Sequence, residues 1–294
     1  MDKNKQQTIL PGLYLISTPI GNMQDITFRA INVLKKSDVI LCEDTRRSSN
    51  LLTYYGVKKK LFSYHKFNEK KISEKIINII KENKIVSLIS DAGTPAISDP
   101  GSVLINKCIK EDLNIHPIPG PSAITSAMSV SGFEGKFLFY GFLTKKENEL
   151  DRILKNISNL DFSIIFFISA QRINYFIKIF KKHFHDRKIL IAKEITKMHE
   201  KFIREKVDTI KPFPQDIKGE LTVILSNKIE KNNFKKVIDE SVKIEIKKMI
   251  KKYSHKDVVE YIVKKENLPK KLVYDYCLMV KKIKWKKILL YYFF

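Results

Sequence analysis

Residues 87–101 read SLISDAGTPAISDPG, and their composition differs from that of the rest of the chain. They hold two Gly, two Pro and two Asp but no Lys, in a protein of 294 residues that contains 48 Lys. The apolar run IVSLIS (85–90) at their start is typical of a buried strand. Small, rigid residues after a strand let the backbone approach a ligand, although the same residues also form ordinary connecting turns.

Other apolar runs on both sides of this stretch extend the pattern. LYLIS (13–17), VILCE (39–43) and NIHPI (114–118) are predicted strands, and the segments between them place apolar residues at helical spacing. Strands that alternate with helices indicate a mostly parallel sheet with helices on both faces. A second α/β domain is predicted from four later strand-like runs: FLFYGF (137–142), SIIFFIS (163–169), KILIAKEI (188–195) and GELTVILS (219–226).

The domain prediction follows from this order of elements. We predict an N-terminal α/β domain (1–118), a C-terminal α/β domain (119–228) and a small helical appendage (236–284), with the Pro-Gly-Pro at 119–121 as a hinge. In the appendage, two amphipathic helices are expected around a turn at Leu268 and Pro269.

Composition limits the class of protein. The net charge of +23 favours a polyanionic partner, nucleic acid first, but an AT-rich genome would also enrich Lys, Ile and Asn. Three Cys without metal spacing fit a reducing compartment and predict no metal site. The N-terminus has no apolar signal core, and the longest apolar runs are too short to span a bilayer. We therefore expect a cytoplasmic protein that does not insert into a membrane.

Three loops without Lys follow predicted strands: STPIGN (17–22), DAGTP (91–95) and PIPGPSA (117–123). In a parallel α/β sheet, ligands bind at the carboxyl ends of strands, so these loops form one candidate site. Asp99 is a predicted helix N-cap with Pro100 at the first helical position, and Ser122 is a candidate cap for the next helix. None of the loops matches the dinucleotide or phosphate-loop motifs.

Taken together, these motifs resemble the ribosomal RNA small subunit methyltransferase I family, which has the tetrapyrrole methylase fold. The resemblance covers residues 13 to about 226 and includes KEITKMHEKF and KGELTVIL. It implies two α/β domains of the tetrapyrrole methylase type with S-adenosylmethionine (SAM) in the cleft between them. It also implies 2′-O-methylation of a cytidine ribose in the decoding region of 16S rRNA, within the 30S subunit. The cofactor-binding residues that it implies are Pro19, Gly21, Asp91, Ala92, Gly93, Thr94, Pro119, Gly120, Ser122 and Thr125.

Candidate catalytic residues lie in CEDTRR (42–47), after the second strand. Glu43 and Asp44 are candidates to orient the ribose hydroxyl or to accept its proton, and Arg46 is a candidate to hold the adjacent phosphate. Alternatively, Asp44 or Thr45 caps the following helix and Arg46 forms a surface ion pair. His65 and Lys197 are weaker candidates for the same cleft.

The chain departs from the family at one motif. Where the family has Tyr-Glu-Ser-x-His-Arg, residues 167–172 read FISAQR, so Ile168 replaces a carboxylate while Arg172 is retained. Two alternatives therefore stay open: a C-methyltransferase of tetrapyrroles, and a SAM- or RNA-binding protein without catalysis. The C-terminal segment KIKWKKILLYYFF (282–294) fits a basic and aromatic RNA contact or a segment that touches a membrane. Packing on its own protein or on the second subunit of a homodimer is favoured over both.

Overall fold

The computed structural model describes residues 8–214, 217–229 and 238–280. The chain divides into two compact units, residues 1–229 and 230–294. The first unit contains two five-stranded sheets, and the second is helical in its described part. Because both sheets lie in one unit, the predicted boundary at residues 118 and 119 stays a prediction.

The first sheet is entirely parallel, with strand order β3-β2-β4-β1-β5. Leu13 packs in the cluster under one face of this sheet and Tyr14 in the cluster under the other, since successive strand side chains alternate. This confirms the predicted parallel sheet with helices on both faces. Its elements are β1 (Gly12–Ile16), α1 (Phe28–Lys36), β2 (Val39–Cys42), α2 (Thr45–Tyr54), β3 (Leu61–Ser63), α3 (Glu69–Lys81), β4 (Ile85–Ile89), α4 (Ser102–Lys110) and β5 (Ile115–Ile118).

The start of α4 differs from the prediction. The helix begins at Ser102 and Gly101 occupies its N-cap position, so the prediction that Asp99 caps it, with Pro100 as its first residue, is wrong. The chain before it makes two turns in left-handed backbone geometry, at Ala96 (φ 63°) and Ser98 (φ 67°). These turns keep Asp99 two residues away from the capping position.

The second sheet is mixed, with strand order β6-β7-β10-β8-β9, in which β6 and β7 are parallel and the other pairs are antiparallel. The four predicted strands are present. The additional strand β9 has the sequence KFIREK, lies at an exposed edge and lacks the apolar alternation that predicts strands. The elements are α5 (Ala123–Ser129), β6 (Phe137–Phe142), α6 (Glu147–Ser158), β7 (Ser163–Ser169), α7 (Ile173–His183), β8 (Lys188–Lys193), β9 (Lys201–Lys206) and β10 (Glu220–Leu225).

The second unit has its own hydrophobic core. Its helices are α8 (Glu240–Met249), α9 (His255–Glu266) and a helical stretch at 270–280. Asn267 ends α9 in left-handed geometry before Leu268 and Pro269, which confirms the predicted pair of helices around this turn. Val258, Val259 and Ile262 are buried against other residues of the same unit. The segment 282–294, for which packing was predicted, lies outside the described residues.

No helix among these described ranges is long and apolar enough to cross a membrane.

Candidate functional site

A cleft of about 990 Å³ opens between the two sheets of the first unit. One wall, which we call the first wall, consists of cleft-lining residues at 91–99 and 122–125, which follow β4 and β5. The opposite side, the second wall, consists of lining residues at 137–145, 167–176 and 195–221. The site therefore lies at the carboxyl ends of β4 and β5, where parallel α/β sheets bind ligands.

The loop after β4 is fixed by backbone pairing with the loop after β1. The Thr18 N–H donates to the Gly93 carbonyl (2.9 Å), and the Gly93 N–H donates to the Thr18 carbonyl (3.0 Å). The Ser17 and Thr94 hydroxyls lie 2.9 Å apart. Gly93 has φ +79°, a backbone geometry that residues other than Gly rarely adopt. These contacts hold Asp91, Ala92, Gly93 and Thr94, four predicted cofactor residues, along the cleft.

Two residues of the loop after β1, Pro19 and Gly21, were predicted to bind the cofactor. The loop contacts the chain near the second sheet at Gly21 instead. A side chain at Gly21 would place Cβ 2.5 Å from Lys197 Cγ and 2.7 Å from Thr196 Oγ1. The Asn22 N–H donates to Thr196 Oγ1 at 3.0 Å. Gly21 is thus required for a close approach between the two sheets, and neither Pro19 nor Gly21 lines the cleft.

The loop after β5 serves two cavities. Ser122 and Thr125 line the cleft and also a neighbouring cavity of about 620 Å³, whereas Pro119 and Gly120 line only the smaller cavity. Ser122 occupies the N-cap position of α5, but its side chain makes no capping hydrogen bond. The candidate capping role of the Ser122 hydroxyl is therefore not realised, although its position at the helix start was predicted correctly.

The CEDTRR segment lies behind the first wall. Asp44 caps α2 by accepting hydrogen bonds from the Arg46 N–H (2.9 Å) and the Arg47 N–H (3.5 Å), and these lower the pKa of Asp44. Arg46 is 91% exposed and lies 3.5 Å from the Asp44 carboxylate. The capping and surface-pair alternative is therefore confirmed. Glu43, Asp44 and Arg46 are not among the lining residues, so their catalytic roles stay predictions.

The same segment is nevertheless tied to the cleft through Asp91. The Asp44 N–H donates to Asp91 Oδ1 at 3.3 Å, and Arg47 Nη1 lies 3.1 Å from Asp91 Oδ2. The start of α2 and the loop after β4 therefore form one connected structure.

Asp99 is a cleft residue that sequence reasoning missed. It lines the first wall, and burial raises its pKa to about 6, with the negative charges of Glu43 and Asp91 adding to the effect and a hydrogen bond from Ser90 opposing it. A carboxyl group with a pKa near neutrality inside a cleft is suited to proton transfer. The available sequence signal was its place in the same Lys-free stretch as Asp91, but the Asp-Pro-Gly pattern favoured a helix cap.

The second wall has a different chemistry. Its aromatic residues are Phe137, Phe139, Phe142, Phe167 and Phe176. Its charged residues are Lys145, Arg172, Lys197 and Glu220, of which Lys197 pairs with Glu220 (2.7 Å) and with Glu194 (3.2 Å). Lys197, a weaker candidate from the sequence, therefore lines the cleft as part of an ion-pair cluster. His65 is not among the lining residues.

Comparisons with known proteins identify the family. The model of the Tetrapyrrole (Corrin/Porphyrin) Methylases matches residues 12–211. The solved structure of the methyltransferase CobJ aligns with a TM-score of 0.57 at 15% identity, covering 74% of this chain and 94% of that chain, and this shows the fold alone. The ribosomal RNA small subunit methyltransferase I of Thermotoga maritima is 44% identical over 219 residues, which are 74% of this chain and 98% of that protein.

The chain belongs to the ribosomal RNA small subunit methyltransferase I family. Members of this family differ in length. About a quarter of this chain has no counterpart in the Thermotoga relative, because the match covers 74% of this chain but nearly all of that protein. The relative from Halalkalibacterium halodurans is 33% identical and matches 90% of this chain and 93% of its own length.

The departure from the family motif lies on the second wall. Ile168 is 3% exposed, packs in the core of the second sheet and also lines the cleft. Arg172, the retained residue of that motif, places its guanidinium over the rings of Phe176 (4.9 Å) and Tyr175 (5.4 Å). Ile168 is thus an apolar lining residue where the resemblance predicts a carboxylate, and the carboxylates that line the cleft are Asp91, Asp99 and Glu220.

Proposed function

We propose that this protein transfers the methyl group of SAM to the 2′-hydroxyl of a cytidine ribose in the decoding region of 16S rRNA, within the 30S subunit. The observation that carries the proposal is the 44% identity to the ribosomal RNA small subunit methyltransferase I of Thermotoga maritima over 98% of that protein. The cleft that the matching motifs build provides a place for the reaction.

The first wall fits SAM by its chemistry. SAM supplies an electrophilic methyl group on a positively charged sulfonium. Asp91 and Asp99 provide negative charge for the sulfonium and the amino group, and two residues of the second wall, Ile195 and Leu221, provide apolar surface for the adenine. The short side chains of Ala92, Gly93 and Thr94 leave the backbone accessible. The other predicted residues, Pro119, Gly120, Ser122 and Thr125, complete the proposed cofactor region.

Asp99 is the proposed general base. Methyl transfer is an in-line displacement, so the protein must hold the ribose hydroxyl in line with the methyl group and remove its proton. With a pKa of about 6, Asp99 is ionised at neutral pH yet basic enough to accept a proton. Glu43 contributes by its negative charge, which raises the pKa of Asp99.

Arg46 is proposed to hold an RNA phosphate beside the cleft. Its side chain is exposed, and among the described residues its one ion pair is the 3.5 Å contact with Asp44, so the guanidinium is available for a bidentate phosphate contact. Asp44 then acts by fixing the start of α2, from which Arg46 projects. The helical unit adds basic charge, because residues 230–294 carry +10 of the net +23. We propose that this unit docks on the rRNA backbone, which contributes affinity without reading sequence.

Transfer of labelled methyl groups from SAM to 30S subunits tests the proposal. The expected result is one 2′-O-methylated cytidine in the decoding region, detected by ribose-methylation mapping of 16S rRNA with and without the gene. Retention of SAM without transfer would identify a non-catalytic binder, the alternative that the Ile168 departure raises. Transfer to a tetrapyrrole but not to 30S would identify the C-methyltransferase alternative. A cytoplasmic location and a homodimer stay predictions.

A further inference from the structure

A β-bulge in β6 directs Phe142 into the cleft. Phe137 and Phe139 pair with Ser163 and Ile165 of β7, and the register then shifts so that Gly141 and Phe142 pair with Phe166 and Phe167. Without this extra residue, alternation would place Phe142 on the face opposite to Phe139. Tyr140, the residue between Phe139 and Gly141, packs against the hydrophobic core on the opposite face of the sheet. The sequence FLFYGF thus brings Phe137, Phe139 and Phe142 all to the second wall.

The ring of Phe142 contacts another aromatic ring on one side and is exposed on the other. Its centroid lies 5.4 Å from the ring of Phe167, which in turn lies 5.0 Å from the ring of Phe139. Phe142 is nevertheless 66% exposed. A large aromatic ring that is supported from one side and accessible from a cleft is suited to stacking against a planar ligand.

The charges beside this ring favour RNA over SAM as the ligand. Lys145 and Arg172 line the same wall, and within the described part of the chain neither forms an ion pair. Aromatic rings interleaved with cations are the usual surface for single-stranded nucleic acid. The sulfonium and amino group of SAM are positively charged, so they are better placed at the first wall, with Asp91 and Asp99.

We propose that Phe142 is the stacking surface for the base of the nucleotide whose ribose is methylated, an inference that rests on the proposed function. In this proposal the nucleotide turns out of the surrounding RNA structure so that its ribose reaches the first wall, and the attached base enters the cleft with it. Stacking on Phe142 stabilises this extruded state, while Lys145 and Arg172 neutralise the flanking phosphates.

The test compares Phe142→Ala, Phe142→Leu and Phe142→Tyr with the wild-type full-length protein. Steady-state methyl transfer to 30S subunits gives kcat/KM, calorimetry gives the Kd for SAM, and thermal melting reports on folding. Phe142→Ala removes the stacking interaction and should reduce kcat/KM by roughly 5- to 150-fold. Leu retains apolar bulk without a ring and is expected to behave like Ala, whereas Tyr retains activity within about threefold. The Kd for SAM stays within about twofold in all variants.

Phe28→Ala is the matched control, because Phe28 is 94% exposed and does not line the cleft. Equal kcat/KM for Phe142→Ala and Phe28→Ala would overturn the stacking role, as would full activity of Phe142→Leu. A parallel loss of SAM affinity would assign Phe142 to the cofactor site instead. Absence of transfer by the wild-type protein is a separate result, which would reject the proposed function before any variant is compared.

Discussion

The two walls of the cleft are built from different kinds of residues. The only charged side chains of the first wall are Asp91, which pairs with Arg47 from outside the lining, and Asp99, and the wall has no aromatic ring among its lining residues. The second wall has five Phe and three cationic side chains, with Glu220 already paired to Lys197. An acidic wall of small residues complements a cationic cofactor, whereas an aromatic and basic wall complements RNA. This contrast is the basis of the proposal that the positively charged groups of SAM lie against the first wall and RNA against the aromatic and basic part of the second wall.

The largest effect is expected from Asp99→Asn, which leaves the first wall without its proton acceptor. Loss of a general base lowers kcat by roughly a hundred- to ten-thousand-fold. The wild-type kcat/KM should rise as pH increases through about 6, where Asp99 of the free protein ionises, and the variant should lack this rise. A pH–rate series measures both. An unchanged profile in the variant would assign the base to another residue. Asp112→Asn, at an exposed turn with φ 51°, is the control.

The same variant has a stability signature. Because the pKa of Asp99 is raised from 3.8 to about 6 in the folded state, the folded protein keeps a proton between these pH values that the unfolded chain has released. The contribution of Asp99 to the free energy of unfolding therefore decreases as pH rises from 4 to 6. Compared with the wild type, Asp99→Asn should therefore gain stability between pH 4 and pH 7. Thermal melting of both proteins at the two pH values measures this difference.

The next effect in size concerns Arg46. This residue lies in α2, beside the first sheet, but is proposed to bind RNA. Arg46→Ala removes a charge-assisted phosphate contact, so kcat/KM for 30S subunits should fall by roughly 10- to 100-fold. SAM affinity and melting temperature should stay nearly unchanged, because the surface pair with Asp44 contributes little. Collapse of SAM binding would show that both ligands use the first-sheet side. Arg152→Ala, at an exposed position of α6, provides the control.

The next prediction tests the proposed SAM-binding loop after β4 separately from RNA binding. Gly93→Val imposes φ +79° on a β-branched residue and disturbs the pairing with Thr18, so SAM affinity should fall by about tenfold or more. Gly56→Val is a matched control, since Gly56 has φ +66° and open space around its Cβ position. Both variants carry strain of ~1–3 kcal/mol, and only Gly93→Val should weaken SAM binding in calorimetry. Equal SAM affinities would remove this loop from the cofactor site.

The smallest effect is expected from truncation at Lys231, which removes the helical unit and leaves both walls intact. Because Val258, Val259 and Ile262 bury within that unit, the truncated protein should keep its melting temperature and SAM affinity. Binding to 30S should weaken by a few-fold at about 0.15 M salt, with a shallower salt dependence. Aggregation or a lowered melting temperature with an unchanged salt slope would show that the unit completes a core or a dimer interface.

Four strands of the first sheet could be predicted from the sequence because they are short apolar runs separated by helices of clear period. The edge strand β3 was missed, because its three residues LFS are too short to give a pattern. In the second sheet the strands were recognisable, but their antiparallel pairing was not, since pairing direction depends on contacts distant in sequence. The edge strand β9 was missed because four of its six residues are charged, a composition that is more typical of a loop.

The candidate site was only partly predictable. The loops around Gly93 and Ser122 were found because small residues after a strand are a local signal. Asp99 and Phe142 were missed, since their positions depend on two left-handed turns and on a one-residue bulge, respectively. Gly21 was assigned to the cofactor, but the structure gives it a packing role against Lys197, which no local pattern could indicate.

The bulge in β6 has a further consequence for solubility. β6 is an edge strand of apolar and aromatic composition, and such an edge can recruit a strand from another molecule and start aggregation. The register shift and the left-handed Gly141 (φ +83°) interrupt the regular spacing of hydrogen-bonding groups that an incoming strand would need. The chain can therefore expose an aromatic surface at a sheet edge without that edge becoming a template for intermolecular β-pairing.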